Sequence, residues 1–110
     1  MNVKFTARHF RPHADVKEHA LEEVRKLGKF YDGIVSAAVI LSFERATNSV
    51  KTAEINLHVY GTVLSATVKS EDFIKSIDKA VEKLSIQLSK YKSKLRAKDK
   101  SKVRKIHEKV

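Results

Sequence analysis

Five histidines and a scatter of carboxylates are the residues through which this chain could do acid–base or metal chemistry. The histidines are His9, His13, His19, His58 and His107. His9 and His13 are four apart, but a strand end and Pro12 lie between them, so helical ligand spacing does not apply. No H-E-x-x-H, glycine-rich phosphate loop or G-x-S-x-G occurs. The chain has no cysteine, which excludes thiol nucleophiles, disulfides and thiolate-bound zinc. The carboxylate pairs Glu22-Glu23 and Glu71-Asp72 are neighbours in sequence, and neighbours on a helix do not face each other. The sequence therefore predicts no catalytic residue, no metal site and no cofactor.

What remains is lysine. From Lys75 onward the cations fall at helical spacing. At about 100° per residue, taking Lys75 as zero, Lys75, Lys79, Lys83, Lys90 and Lys94 fall within roughly 0–100°. Gln87 lies in or beside that arc. The apolar positions from Ile77 to Leu95 cluster at roughly 160–240°. Asp78 and Glu82 fall to the other side. One flank of this helix is thus a lysine stripe whose ammonium groups, about 5–6 Å apart per turn, can follow a phosphate backbone. The plainer reading is a solubilising face. An earlier helix serves as a control, because there Asp15, Glu18, Glu22 and Glu23 offset Lys17, Arg25 and Lys26.

The overall charge favours binding. Twenty-three Lys and Arg against thirteen Asp and Glu give +10 over 110 residues. A balance of that kind points to a polyanion partner. Half of the excess lies in residues 96–110, and from Lys90 to Arg104 a basic residue recurs at every second position. Steps of two turn a helix by about 200°, so those charges would surround the rod. Residues 1–95 are read as the folded domain and 96–110 as a flexible basic tail, whether a frayed helical extension or disordered. No apolar run approaches the ~20 residues needed to span a bilayer, and no secretory signal is visible, so a cytoplasmic protein without membrane contact is expected.

The elements that must carry the stripe follow from periodicity. Residues 3–8 alternate as a half-buried strand, with Val3, Phe5 and Ala7 on one face. Pro12 suits the first turn of a helix over about 13–27, which Gly28 is placed to end with a left-handed cap. A strand over 35–44 shares Val35, Ala37, Val39, Leu41 and Phe43 on one face. A polar turn at 45–49 leads to a strand over 50–60, and Gly61-Thr62 marks a hairpin into a strand over 63–69. Ser70 can cap the long helix, with Glu71 and Asp72 complementing its dipole. The first strand–helix–strand unit should be parallel and right-handed, and the later strands an antiparallel meander. The predicted fold is α+β, a two-layer sandwich of order β-α-β-β-β-α. Its four-stranded mixed sheet carries both helices on one face.

Two stretches resemble a known family. They are Leu57-His-Val-Tyr-Gly-Thr-Val-Leu-Ser-Ala66 and the run from Ser70 through Glu71, Asp72, Ile77, Asp78, Lys83, Leu84, Gln87, Leu88, Lys90 and Lys92 to Leu95. Val39-Ile-Leu-Ser42 and the Lys26–Ile34 segment match in character. Together they resemble the bacterial ribosome hibernation-promoting factor family, which includes the ribosome-associated translation inhibitor. The resemblance covers roughly residues 1–95. It implies binding to the small ribosomal subunit between head and body, on the path of mRNA and tRNA and mainly through ribosomal RNA, with ribosomes held inactive in stationary phase or stress. It implies a short form without the ribosome-dimerising C-terminal domain, acting as a monomer, in some species alongside a separate ribosome modulation factor. Lys79, Lys83, Gln87, Lys90 and Lys94 match polar or basic positions of the family's second helix. Ile86 stands where many members are basic, and Ile74 where an aromatic is common. The basic tail is unlike the acidic tail of the translation-inhibitor branch, which leans the resemblance toward the hibernation-promoting branch.

The expected site is therefore Lys75, Lys79, Lys83, Gln87, Lys90 and Lys94, with Lys4, Arg8, Arg11, Lys26, Lys29 and Arg45 as secondary RNA-binding candidates. The main alternative is a general double-stranded RNA-binding domain. Such domains carry lysines at the start of the last helix, whereas Ser70-Glu71-Asp72 here would repel phosphate. An RNA-recognition sheet is disfavoured because the open face lacks stacking aromatics apart from Tyr60. A purely protein-binding module would bind without a steep salt dependence.

Overall fold

The structure is a computed structural model that describes the backbone of residues 1–44 and 50–108 and the side chains of residues 1–43 and 50–94. The elements run β1 (Asn2–Ala7), α1 (Ala14–Phe30), β2 (Ile34–Glu44), β3 (Val50–Val59), β4 (Thr62–Ser70) and α2 (Phe73–Glu108). The sheet order is β1-β2-β3-β4. β1 pairs parallel to β2, and β2–β3 and β3–β4 are antiparallel. The α+β sandwich read from the sequence is the fold observed. α1 packs against β1 and β2, α2 lies across β3 and β4, and the helices touch each other, so both cover one sheet face.

Alternation explains the layer between them. Ala37, Val39 and Leu41 of β2 and Ala53, Ile55 and Leu57 of β3 are essentially fully buried. They meet Ala20, Val24 and Leu27 of α1 and Ile77, Ala80, Leu84 and Leu88 of α2. Ser76 is the one buried polar side chain among the described residues; its hydroxyl donates to the Lys51 carbonyl at 2.9 Å and meets Ser70 Oγ at 2.6 Å. That pairing removes the cost of burying a hydroxyl and ties the first turn of α2 to β3.

Four local expectations need correction. Val35 is 67% exposed, because a bulge between Ile34 and Ser36 shifts the phase and turns Ile34 inward in its place. Pro12 precedes the helix, which starts at Ala14 after His13 in extended backbone. Gly28 lies inside α1; the helix ends two residues later, where the Tyr31 N–H donates to the Leu27 carbonyl at 3.0 Å. Ser70 is the last residue of β4, and the N-cap of α2 is Asp72, whose Oδ1 accepts from the Ile74 N–H at 3.2 Å. The hairpin expectation holds: Gly61 has φ 85°, which a side chain would resist. The tail expected at 96–110 continues α2 as far as Glu108. Its side chains lie outside the described residues.

Candidate nucleic-acid interface

α2 has two flanks of different character. The flank toward α1 is bonded. His19 Nε2 of α1 pairs with Asp78 Oδ1, and Glu23 approaches the same nitrogen at 4.0 Å. These three residues bring potential ligand atoms within 4.8 Å of one another, and the direct His19–Asp78 bond accounts for the grouping as a tie between helices. Lys92, further along this flank, donates to the Phe30 carbonyl at 3.2 Å and lies 4.5 Å from the Phe30 ring centroid. It satisfies a carbonyl that the end of α1 leaves open.

The other flank runs along the β4 edge and carries the predicted stripe. Lys75, Lys79, Lys83, Lys90 and Lys94 are all exposed. Lys75 pairs with Glu71 at 3.2 Å, an exposed contact of small worth. Lys79, Lys83, Lys90 and Lys94 make no ion pair among the described residues. Gln87 is half-buried, and its Nε2 donates to the Ser65 carbonyl at 2.8 Å. It is a positioning group: it holds the flank against β4 and occupies one carbonyl of an otherwise open sheet edge. Between Lys90, Lys94 and Tyr91 on one side and Thr62 and Leu64 on the other lies a groove of about 420 Å³. Ile86, 53% exposed, projects into the arc of the stripe between Lys83 and Lys90.

Residues 3–96 match the model of the Sigma 54 modulation protein / S30EA ribosomal protein family. The chain belongs to this family. Among its relatives are the ribosome hibernation promoting factors of Klebsiella oxytoca and Escherichia coli K12. Each is 32% identical over 81 residues, covering 74% of this chain and 82% of the relative. The factor of Pseudomonas putida is 28% identical over 94 residues, 86% of this chain and 89% of that one. Two solved structures share the fold at 24% identity. A ribosomal subunit interface protein from Coxiella burnetii superposes with a TM-score of 0.76 over 84% of this chain and 99% of its own. The N-terminal domain of Thermus thermophilus Protein Y gives 0.70 over 83% and 99%.

Within this S30EA-family fold the secondary candidates do not join the stripe. Lys4 is exposed on β1, and its register row runs through Ala38 and Asn56 to Ser65 on the uncovered sheet face. Arg8 follows β1, with its N–H bonded to the Leu41 carbonyl. Arg11 borders a cavity of about 540 Å³ walled by Phe10, Phe43 and Phe73. Lys26 pairs with Glu23 at 3.0 Å, and Lys29 stands in the last turn of α1, across α2 from the stripe. Arg45 lies outside the described residues. Sequence reasoning missed Lys69, exposed at the end of β4 and opposite Thr52 on the uncovered face. Its signal was available, since strict alternation with Val68 inward points Lys69 outward. No described helix is long and apolar enough to cross a membrane.

Proposed function

We propose that this protein is a cytoplasmic, non-enzymatic ribosome hibernation factor. It binds the small ribosomal subunit in the decoding channel and blocks mRNA and tRNA by occupying their space. Inactive ribosomes are thereby preserved under stress or in stationary phase. The observation that carries this reading is the row of lysines on the β4 flank of α2, in a chain of a family whose relatives are named for ribosome hibernation. A rigid helix rising about 1.5 Å per residue holds the ammonium groups at fixed spacing, so phosphates are engaged with little further ordering of backbone. The acidic start of α2, at Glu71 and Asp72, keeps phosphate away from that end and directs it to the later turns. The domain acts as a monomer, with any ribosome pairing left to a separate modulation factor.

The test is sedimentation with purified ribosomes on a sucrose gradient, with and without mRNA and initiator tRNA bound beforehand. The expected result is co-migration with the small subunit and the whole ribosome that disappears when the channel is already filled. Failure to co-migrate at low salt overturns the ribosome reading. Co-migration that survives the filled channel overturns its location. The affinity should also fall steeply with salt, by a log–log slope of about 0.7–0.9 per phosphate contacted.

A further inference from the structure

The cavity beside Arg11 lies where β1 has ended, β3 begins and both helices start. Its wall is aromatic. His9 takes φ 64°, left-handed backbone that few L-residues adopt, and the chain that follows this bend lays Phe10 flat on Phe73, with ring centroids 5.1 Å apart and planes 5° from parallel. Phe43 meets the Phe10 ring edge-on at 5.3 Å. Phe73 is buried, but Phe10 and Phe43 are only half-buried, and Pro12 and Val16 complete the apolar lining. The rim is mostly cationic. Arg11 and Lys51 make no ion pair among the described residues, and His13 adds an imidazole N–H. The Lys51 ammonium stands 6.0 Å from the Phe73 ring centroid and gives one of its three N–H groups to the Glu71 carbonyl at 3.2 Å. Asp72 is the acid of the lining, and its Oδ1 is engaged by the Ile74 N–H.

Leaving an aromatic wall half open gains nothing for the core. At about 540 Å³ the cavity falls in the range of about 300–1,000 Å³ that holds small ligands. Phenylalanine faces and edges suit a flat ring. Two unpaired cations against one engaged carboxylate suit a single negative charge. We propose that this cavity binds a small aromatic carboxylate, with its ring against the phenylalanine wall and its carboxylate at Arg11 and Lys51. Such a ligand touches the start of α1, the start of β3 and the start of α2 together, so its binding also raises the thermal midpoint. About 25 Å of helix separates Phe73 from Lys90, so this site is distinct from the far end of the stripe and does not rest on the RNA-binding reading.

Titration of naphthoate into the isotope-labelled protein, followed by backbone amide NMR shifts, tests this. The expected result is saturable shifts gathered at Phe10, Arg11, Val16, Lys51 and Phe73. The dissociation constant should be about 1 mM or tighter, the scale set by a ligand of about thirteen non-hydrogen atoms. Naphthylmethanol, with the same ring and no charge, should bind at least about fivefold more weakly. Lys51→Gln should weaken naphthoate at least about threefold, since its ammonium is partly in water. Val16→Phe fills the cavity and should abolish binding, with the amide spectrum showing the variant folded. Lys51→Gln, at the rim, decides the matter if that larger side chain disturbs the wall. Shifts confined to Lys79, Lys83 and Lys90, equal affinity for the two compounds, or no saturation by about 10 mM overturns the proposal. So does a folded Val16→Phe or a Lys51→Gln protein that binds naphthoate as tightly as the parent.

Discussion

α1 and α2 lie on the same sheet face and present the same kind of apolar stripe, yet their polar surfaces differ. On α1, Lys26 is paired with Glu23, and the acids Asp15, Glu18 and Glu22 accompany Lys17 and Arg25. On α2, the groups bonded to α1 and the cations without an ion pair lie on different flanks. Asp78 and Lys92 turn toward α1 and bond there, and Lys79, Lys83, Lys90 and Lys94 turn the other way without an acidic partner among the described residues. Hydrophobic pattern alone cannot distinguish a helix that only covers a core from one that also binds. In the proposed reading the placement of the unpaired cations does so, because an exposed cation without a partner keeps its full attraction for a phosphate, and a paired one must first give up its acid.

The buried side of α2 should be the most sensitive to change. Leu84 and Leu88 are fully buried between β3, β4 and α1. Leu84→Ala should lower stability by roughly 2–5 kcal/mol, from lost transfer energy plus the cavity left behind. Urea unfolding measures it, with the midpoint falling and the slope unchanged. RNA binding by the fraction still folded should be that of the parent, since no stripe residue moves. A change near zero would mean that α2 is held by its polar flanks instead of its core.

Next in size is a direct test of the cations' placement. Lys79, Lys83 and Lys90 replaced together by Glu should weaken ribosome binding roughly a hundredfold or more at moderate salt, because three attractions become repulsions. The matched reversal on α1, at Lys17, Lys26 and Lys29, should cost no more than a few-fold through net charge alone. Both triple variants should keep their thermal midpoints. Equal losses from the two helices would show that binding follows total charge and that the flank has no special role.

The folded framework was legible because it rests on period. Alternation in β2, β3 and β4 and helical spacing from Val16 to Leu27 and from Ile77 to Leu88 state which residues are inward. The failures came where a single residue breaks the period. The bulge that exposes Val35 adds one residue to β2, and nothing in Ile34-Val35-Ser36 announces it, since either Ile34 or Val35 could point in. Gly28 looked like a cap because glycine often ends helices, but the hydrogen bond from Tyr31 to Leu27 closes α1 later. The stripe was legible as an arc, and its neighbourhood was not. That Gln87 holds the β4 edge, that Lys92 serves α1, and that Thr62 and Leu64 share a groove with Lys90 and Lys94 are juxtapositions across elements, which spacing along one helix does not contain.

A smaller effect concerns the start of α2. Asp72 caps the helix through the Ile74 N–H, and Ser70 Oγ accepts from the Asp72 N–H at 3.3 Å. Asp72→Ala should cost about 1 kcal/mol of stability in thermal or urea unfolding. It also removes a negative charge that discourages phosphate at this end, so RNA affinity should hold or rise slightly. A fall in affinity at unchanged stability would mean that the start of α2 itself contacts the partner, contrary to the placement proposed.

The smallest change is the most discriminating, because it adds function. Ile86 lies in the stripe's arc between Lys83 and Lys90 and is half in water, so a longer polar chain fits there without disturbing the core. Ile86→Lys fills the missing step of the row. If the row tracks a phosphate backbone, the variant gains about one contact: affinity should rise a few-fold, and the salt slope should steepen by about 0.7–0.9. Stability should stay within about 0.5 kcal/mol, as for most exposed substitutions. Loss of binding in a damaged protein has many causes, but a tighter complex with a steeper salt slope has few. Lysine placed at exposed Glu18 on α1 is the control, since it raises the net charge even further, by removing an acid, but away from the stripe. If both variants gain equally in affinity and slope, position on α2 is irrelevant and the protein binds as a diffuse cation. If only Ile86→Lys steepens the slope, the phosphate backbone runs along this flank and passes residue 86.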